Sequence, residues 1–155
     1  MRAANAGDYE KIAEIAEKGF SDYRAHYSAN PLLPKELVLS GYVEWALSRL
    51  DPNNPTSQTW VVSIEDKVAG FATCDVENET VEIILNAVHP DCERRGLYGA
   101  LLRHIIHHYS KKSLKELVIS TQVWNYTVQR QWARAGLRIL RAYDTYHLDR
   151  RLTTT

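Results

Sequence analysis

Apolar residues recur three and four positions apart in the first third of the chain, which is the spacing of one face of a helix. The first run predicts a helix that Asp8 caps and that ends near Ser28–Pro31. A second helix is predicted to begin at Pro34, since proline is favoured at a first helical position, and to end in the turn-forming segment 51–55. Two amphipathic helices are therefore expected before any long strand.

The middle of the chain is rich in β-branched and aromatic residues. Thr59–Glu65, Val68–Val76 and Thr80–Val88 are separated by short polar turns, which predicts an antiparallel meander of three strands. Leu114–Val123 has the same character and is predicted to be a further strand.

The remaining segments predict two more helices and two more strands. One helix covers Leu97–Tyr109, and Asn125 is expected to cap another that Gly136 ends in a left-handed conformation. Strands are predicted at Leu137–Leu140 and Tyr143–Leu148. This order of elements predicts an α+β fold around one mixed sheet.

Composition excludes several classes of protein. The chain has 155 residues with 19 basic and 19 acidic side chains, so no net charge attracts nucleic acid or anionic lipid. No stretch approaches the ~20 apolar residues of a membrane span, and acidic residues interrupt the N-terminal segment where a secretory signal needs an apolar run. Cys74 and Cys92 form neither a disulfide framework nor a zinc site. We therefore expect one cytoplasmic domain over residues 1–155, with no metal and no nucleic-acid or membrane partner.

The segment from Val88 to Leu102 carries the most informative pattern. A strand ends, a turn with Arg94, Arg95 and two glycines follows, and a helix begins near Leu97. Amides at a helix N-terminus are free donors, the helix dipole adds positive potential, and glycine lets an anion approach closely. The pattern predicts a cradle for a pyrophosphate; spacing alone also allows a tight turn with surface arginines.

The loop Glu93–Tyr98 resembles the phosphate loop of the GNAT superfamily of acyl-CoA-dependent N-acyltransferases, which reads Gln/Arg-x-x-Gly-x-Gly/Ala. Glu93 stands in place of Gln or Arg, and Tyr98 stands in place of the second Gly, although Gly99 follows at once. Segment 125–137 is similar to the family's Asn-containing C-terminal motif, and the predicted order of elements is the family's.

The resemblance implies a GNAT-type mixed, mostly antiparallel sheet of about seven strands, flanked by four helices and splayed between the fourth and fifth strands. It also implies acetyl-CoA as co-substrate, with the pantetheine arm in the splay, where a strand amide polarises the thioester carbonyl. The residues expected to bind it are Asn86, Ala87, Val88, Arg94, Arg95, Gly96, Leu97, Tyr98, Gly99 and Asn125. Helix capping is an alternative role for Asn125, and the two roles can coexist.

Transfer to an amine requires a base, because alkyl ammonium groups are mostly protonated at neutral pH. Glu82 is the first candidate, since alternation along the strand puts it on one face with Ile84, Asn86 and Val88. It also corresponds to the position where histone acetyltransferases of the family have their catalytic Glu. The alternative is an exposed strand carboxylate without a catalytic role.

The family's usual acid is absent. Many GNAT enzymes have a Tyr at the position of Trp132, whose indole cannot protonate a thiolate. Tyr126, Tyr143, Tyr146 and His147 are the candidate substitutes, and the thiolate can also leave without an acid.

The C-terminal part of the chain resembles a GNAT subgroup that acetylates nucleotide-linked amino sugars, in which a Thr-x-His pattern recurs, here Thr145–His147. A histidine that titrates near neutral pH can be the base for a sugar amine. The catalytic candidates are therefore Glu82, His147 and Tyr143. The acceptor side of that subgroup corresponds to the segment after the first helix, which gives as substrate-binding candidates Tyr23, His26, Tyr27 and Asn30.

These resemblances imply an acetyl-CoA-dependent N-acetyltransferase that acts directly on the primary amine of a small molecule, by preference a nucleotide-linked amino sugar. Three alternatives stay open: another amine acceptor (an aminoglycoside, a polyamine or a protein N-terminus), a catalytically silent acyl-CoA sensor, and an unrelated phosphate-binding domain. A homodimer is a further open alternative.

Overall fold

The computed structural model describes residues 1–51, 53–112 and 114–150, so Pro52 in the predicted helix stop and residues 151–155 of the predicted domain lie outside it. In chain order the helices and strands are β1 (Arg2–Ala3), α1 (Tyr9–Phe20), α2 (Lys35–Leu47), β2 (Ser57–Ile64), β3 (Lys67–Glu77), β4 (Thr80–Val88), α3 (Leu97–Ser110), β5 (Glu116–Ile119) and α4 (Tyr126–Arg134).

The five strands form one mixed sheet in the order β1-β2-β3-β4-β5. Neighbours are antiparallel as far as β4, whereas β5 runs parallel to β4 after the crossover through α3. Glu65 and Asp66 have φ values of 47° and 63°, the left-handed conformation of a tight hairpin turn between β2 and β3. The predicted meander and the mixed character of the sheet are confirmed.

Each face of the sheet packs against helices. Ile12 and Ile15 of α1 and Phe71 of β3 belong to a buried cluster that also includes residues of α2. On the opposite face, Leu101 and Ile105 of α3 pack in a second buried cluster with residues of β2, β3 and β4. Helices α1 and α2 therefore cover one face of the sheet and α3 covers the other.

The first helix begins directly after Asp8 as predicted, but it ends earlier than predicted, and the Asp8 side chain does not cap it. Helix α1 ends at Phe20, and the chain then forms a separate 3₁₀ turn at His26–Ala29. Asp8 makes no capping hydrogen bond to α1. Its carboxylate accepts hydrogen bonds from the Arg2 guanidinium at 2.7 Å and the Asn5 amide at 2.8 Å. These hydrogen bonds, with that to Arg2 first, lower the pKa of Asp8.

The prediction of about seven strands is wrong for the described residues, which form five. Leu137–Leu140 and Tyr143–Leu148 contain no strand, and β5 is shorter than predicted. β-Branched and aromatic residues favour an extended chain, but a strand exists only where a neighbouring strand accepts its hydrogen bonds. The side chains of Tyr143 and Tyr146 are instead exposed to 75% and 90%.

Candidate active site

A β-bulge interrupts β4 in its middle. Thr73 of β3 lies opposite Leu85, and Cys74 lies opposite Ile83, so Ile84 is an extra residue. The buried Thr73 hydroxyl accepts a hydrogen bond from the Leu85 amide at 3.1 Å and donates one to the Leu85 carbonyl at 3.3 Å. A side chain therefore makes hydrogen bonds to the main chain of β4 just beyond the bulge.

The bulge reverses the alternation of side chains along β4. Before it, Glu82 lies opposite Asp75 and shares its face with Ile84, which packs on the α1/α2 side. After it, Asn86 lines a crevice under α3, and Val88 also faces the α3 side. The prediction that Glu82 shares a face with Asn86 and Val88 is wrong, because one extra residue inverts a pattern of period two.

The two parallel strands pair at four positions, the last of which is Ile83 with Ile119, where β5 ends. Beyond that point the structure pairs β4 only with β3, so the edge of β4 that faces β5 is open. An open β4 edge is what the predicted splay requires, but in the described residues β5 ends at this point and does not continue as a diverging strand.

Two amides of β4 point into this gap. The His89 amide donates to the Ala69 carbonyl at 2.8 Å on the β3 side. Because main-chain groups alternate between the two sides of a strand, those of Ala87 also point to β3, whereas those of Asn86 and Val88 point to β5. Of the three main-chain positions predicted for the pantetheine, only Asn86 and Val88 direct their groups to the gap.

The loop after β4 has the geometry of an anion cradle. Arg94 and Gly96 have φ values of 58° and 75°, and such left-handed positions turn successive amides into a concave surface. Helix α3 begins at Leu97, and the Ala100 amide is bonded to the Gly96 carbonyl at 3.0 Å. The amides of the residues between them are the free donors of the first turn. Glu93 is exposed.

A buried histidine ties this loop to α1, and sequence reasoning missed it. The His89 Nε2 atom lies 3.2 Å from Glu14 and 3.1 Å from the Lys18 ammonium, while its Nδ1 atom accepts a hydrogen bond from the Asp91 amide at 3.3 Å. Hydrogen bonds from Lys11 and Lys18 lower the pKa of Glu14 to about 2. The His-Pro pair directly after the strand was the available signal.

Two of the three departures from the family's motifs, Tyr98 and Trp132, contact each other. The ring of Tyr98 lines the crevice between β4, β5 and α3, together with Asn86 and Ile119. Its hydroxyl accepts a hydrogen bond from the Trp132 indole at 2.7 Å. Burial raises the pKa of Tyr98 to about 12, so the phenol is protonated at neutral pH.

Asn125 caps α4 as predicted. Its carbonyl oxygen accepts from the Val128 amide at 3.4 Å, and its amide group donates to the Thr121 hydroxyl at 3.0 Å. The Thr121 hydroxyl also lies 3.4 Å from that of Tyr23. Asn125 thus lies where the segment after β5 meets the segment after α1.

The predicted acceptor residues lie beside the C-terminal part of the chain. The His26 Nδ1 atom is 2.9 Å from the His147 Nε2 atom, and the Asn30 amide donates to Asp149 at 2.9 Å. The ring of Tyr27 is 4.0 Å from that of His26, centre to centre. Burial, and secondly the nearby His147, lower the pKa of His26.

The structure does not unite the three catalytic candidates. Glu82 lies in the part of β4 that is still paired with β5. Tyr143 is exposed, with the Arg141 guanidinium 5.8 Å from its ring centre, and His147 contacts His26 instead. Within the described residues no hydrogen bond joins any two of the three.

An apolar groove of about 340 Å³ lies beside the predicted acceptor residues. Its lining is Tyr27, Leu33, Leu37, Val38, Gly41, Tyr42 and Trp45. The described ranges contain neither a helix long and apolar enough to cross a bilayer nor a group of three or more potential metal ligands.

Comparison with known proteins gives one family and one curated relative. The model of the acetyltransferase (GNAT) family matches residues 16–137. Over 142 residues the chain is 24% identical to the spore coat polysaccharide biosynthesis protein SpsD of Bacillus subtilis (strain 168). The aligned region covers 92% of this chain and 48% of SpsD. The chain therefore spans about half the length of this relative.

Solved structures share the fold. A "possible acetyltransferase" from Clostridium difficile 630 superposes with a TM-score of 0.71 at 14% identity, covering 96% of this chain and 95% of the other. PaiA N-acetyltransferase from Thermoplasma acidophilum, solved in complex with coenzyme A, gives a TM-score of 0.69 at 13% identity, covering 86% and 85%.

Proposed function

The chain belongs to the GNAT family of acetyltransferases, and we propose that it transfers an acetyl group from acetyl-CoA directly to the primary amine of a small molecule. The observation that carries this proposal is the combination of an open β4 edge with a glycine-containing turn at the start of α3. Each presents main-chain donors, and together they match an anionic coenzyme with an amide-containing arm.

The residues present fit coenzyme A. Free amides in the first turn of α3 supply hydrogen bonds to a diphosphate, and Arg94 and Arg95 add positive charge at the exposed side of the loop. The main-chain groups of Asn86 and Val88 are available to the two amides of a pantetheine arm. The Asn86 amide is then suited to polarise the thioester carbonyl, where negative charge develops during transfer.

Glu82 and His147 are the proposed bases, and Tyr143 is the third catalytic candidate. A carboxylate on β4 can take the proton of an ammonium acceptor through water, whereas a neutral imidazole can do so directly. The separation of these candidates means that one base, and not a pair, serves a given acceptor.

For the acceptor we propose a nucleotide-linked amino sugar. The name of SpsD refers to polysaccharide biosynthesis, and the aromatic rings of His26 and Tyr27 can stack on a sugar or a base. The buried amide of Asn30 adds a polar group to the same side, beside Asp149. A single domain, a cytoplasmic location and a homodimer stay predictions.

The test measures binding and turnover separately. Calorimetric titration with acetyl-CoA establishes binding, and free thiol release is then followed with a panel of nucleotide-linked amino sugars, aminoglycosides, polyamines and peptides. We expect binding and turnover with a nucleotide-linked amino sugar. Binding without turnover on any amine would identify an acyl-CoA sensor, and absence of binding would contradict the whole proposal.

A further inference from the structure

Two of the three positions that depart from the family's motifs are joined by a hydrogen bond in the structure. Trp132 replaces a tyrosine on α4, and Tyr98 replaces a glycine or alanine on α3. The Trp132 indole donates to the Tyr98 hydroxyl at 2.7 Å. Since an indole only donates, the phenol must accept this bond and keeps its own proton free for another acceptor.

The position of this phenol bears on the reaction. Its ring lines the crevice beside Asn86, at the point where the pairing of β4 with β5 ends at Ile83 and Ile119. The Asn86 amide is the group that the proposed function assigns to the thioester carbonyl. Because Asn86 and the ring of Tyr98 line the same crevice, a thioester carbonyl bound to the Asn86 amide would bring the sulfur on the same carbon close to this ring.

Resting on the proposed function, we propose that Tyr98 is a catalytic residue whose hydroxyl donates a hydrogen bond to the departing sulfur of coenzyme A. Trp132 is a positioning residue that orients this hydroxyl. A phenol is thereby supplied from α3 in place of the family's phenol on α4.

The transfer balances without a proton from Tyr98. The acceptor nitrogen bonds to the acetyl carbon, the carbon–sulfur bond breaks, and the sulfur keeps the electron pair as a thiolate. The amine proton goes to the base, and the thiolate takes a proton from water after release. Burial raises the pKa of Tyr98 to about 12, whereas a thiol has a pKa of about 8.5, so Tyr98 stays protonated while it stabilises the thiolate.

The first test removes the hydroxyl and keeps the ring. We expect Tyr98→Phe to lower kcat about 10- to 100-fold, the effect of losing a hydrogen bond to a charged atom, with an unchanged Kd for acetyl-CoA. Tyr9→Phe, on the exposed face of α1, is the matched control and should leave kcat unchanged. Unchanged kcat in Tyr98→Phe would overturn the proposal. A kcat above the wild-type value in Tyr98→Ala would show that the ring obstructs the crevice. That result would also overturn the proposal.

The second test moves the phenol back to α4. We expect the double variant Tyr98→Phe, Trp132→Tyr to recover most of the lost kcat. We expect Trp132→Phe to lower kcat about 3- to 10-fold in the wild-type background and to have no further effect in the Tyr98→Phe background. Equal effects of Trp132→Phe in both backgrounds would show that it acts on packing and not through Tyr98.

A binding measurement keeps the proposal testable without any acceptor. Wild-type protein and Tyr98→Phe are titrated with CoA and with desulfo-CoA, which lacks the thiol, at pH 7 and pH 9.5. Because thiolate forms above a pKa of about 8.5, we expect a preference for CoA that grows with pH in wild type only. The same preference in both proteins would contradict the role of Tyr98, whereas failure of both to bind CoA would contradict the proposed function instead.

Discussion

The coenzyme side and the acceptor side of the molecule differ in what they are made of. The coenzyme side consists mainly of main-chain groups, namely the open edge of β4 and the first turn of α3. The acceptor side consists of side chains from two segments far apart in sequence, as in the contacts of His26 with His147 and of Asn30 with Asp149. In the proposed function, the first binds what is common to many acyl donors, and the second distinguishes one amine from another.

This difference has a physical origin. Main-chain donors are present in every sequence and need only a backbone that leaves them unpaired, which the end of β5 and a left-handed glycine provide. Side-chain contacts require particular residues in a particular tertiary arrangement, so they change with few substitutions. Substitutions on the coenzyme side should therefore change the affinity for CoA, whichever acceptor is used. Substitutions on the acceptor side should change the turnover of one class of acceptor and leave the affinity for CoA unchanged.

The largest expected effect tests which residue is the base. We expect Glu82→Gln or His147→Asn to lower kcat at pH 7 about 100-fold, the usual contribution of a general base, with little change in Kd for acetyl-CoA. Thiol release gives kcat, and calorimetry gives Kd. Glu77→Gln, an exposed carboxylate at the end of β3, is the control. If both Glu82 and His147 variants turn over at near the wild-type rate, neither residue is the base.

A pair of glycine substitutions compares the proposed phosphate loop with an equally strained position outside it. Gly96 and Gly136 have φ values of 75° and 91°, and an added Cβ would meet no atom within 4 Å at either. An alanine in this conformation costs about 1–2 kcal/mol of stability at each site. We expect only Gly96→Ala to weaken CoA binding, about 10- to 100-fold in Kd, because its loop is the proposed cradle of the diphosphate.

Urea unfolding measures the stability of these two variants, and calorimetry measures their Kd. Equal weakening of CoA binding by Gly136→Ala would show that backbone strain outside the loop reduces affinity as much as strain within it. The effect of Gly96→Ala would then say nothing about contact between the loop and the diphosphate.

Substitutions of Asn125 produce a smaller effect and separate its role in capping α4 from a role in binding CoA. We expect Asn125→Ala to lower the free energy of unfolding by about 1 kcal/mol, because the cap of α4 is lost. Asn125→Asp keeps an acceptor for the Val128 amide and should restore most of this stability. A CoA affinity that falls in both variants would indicate a contact with the pantetheine arm, and an affinity that follows stability would indicate capping alone.

The smallest effect concerns the pH dependence of the acceptor side. Burial, and secondly His147, lower the pKa of His26 below 6.5, so the unfolded chain binds a proton at a higher pH than the folded chain. The contribution of His26 to stability is therefore lost as pH falls below about 6.5. An NMR titration of the ring should give a pKa below 6.5, and His147→Asn should raise it only in part. A return to 6.5 in that variant would make His147 the main cause.

The coenzyme side was largely predictable from sequence because its signals are local. A strand end, a turn with Gly96 and a helix start at Leu97 are all encoded within a few residues, and the structure has each of them. The bulge at Ile84 was not predictable. It depends on the hydroxyl of Thr73 on the neighbouring strand, and it reversed the face assigned to Asn86 relative to Glu82.

The C-terminal part was predicted less well, because its structure depends on pairing over long distances. The alternation in 137–149 suits an extended chain, but nothing local determines whether a neighbouring strand is present. The contact of Tyr98 with Trp132 was likewise hidden, because each looked like an unrelated departure from a motif. Residues 34 positions apart reveal their relation only when α3 and α4 are packed together.

The most direct test of the account follows the amide signals of ¹⁵N-labelled protein by NMR as CoA is added. The account predicts the largest shifts at Gly96, Leu97, Tyr98 and Gly99, followed by Asn86 and Val88, with little change at Ala87. Desulfo-CoA should reproduce the shifts at the start of α3, because it retains the diphosphate. Binding of CoA that leaves these amides unshifted, or shifts confined to the surface of other elements, would contradict the claim that main-chain donors of this loop hold the diphosphate.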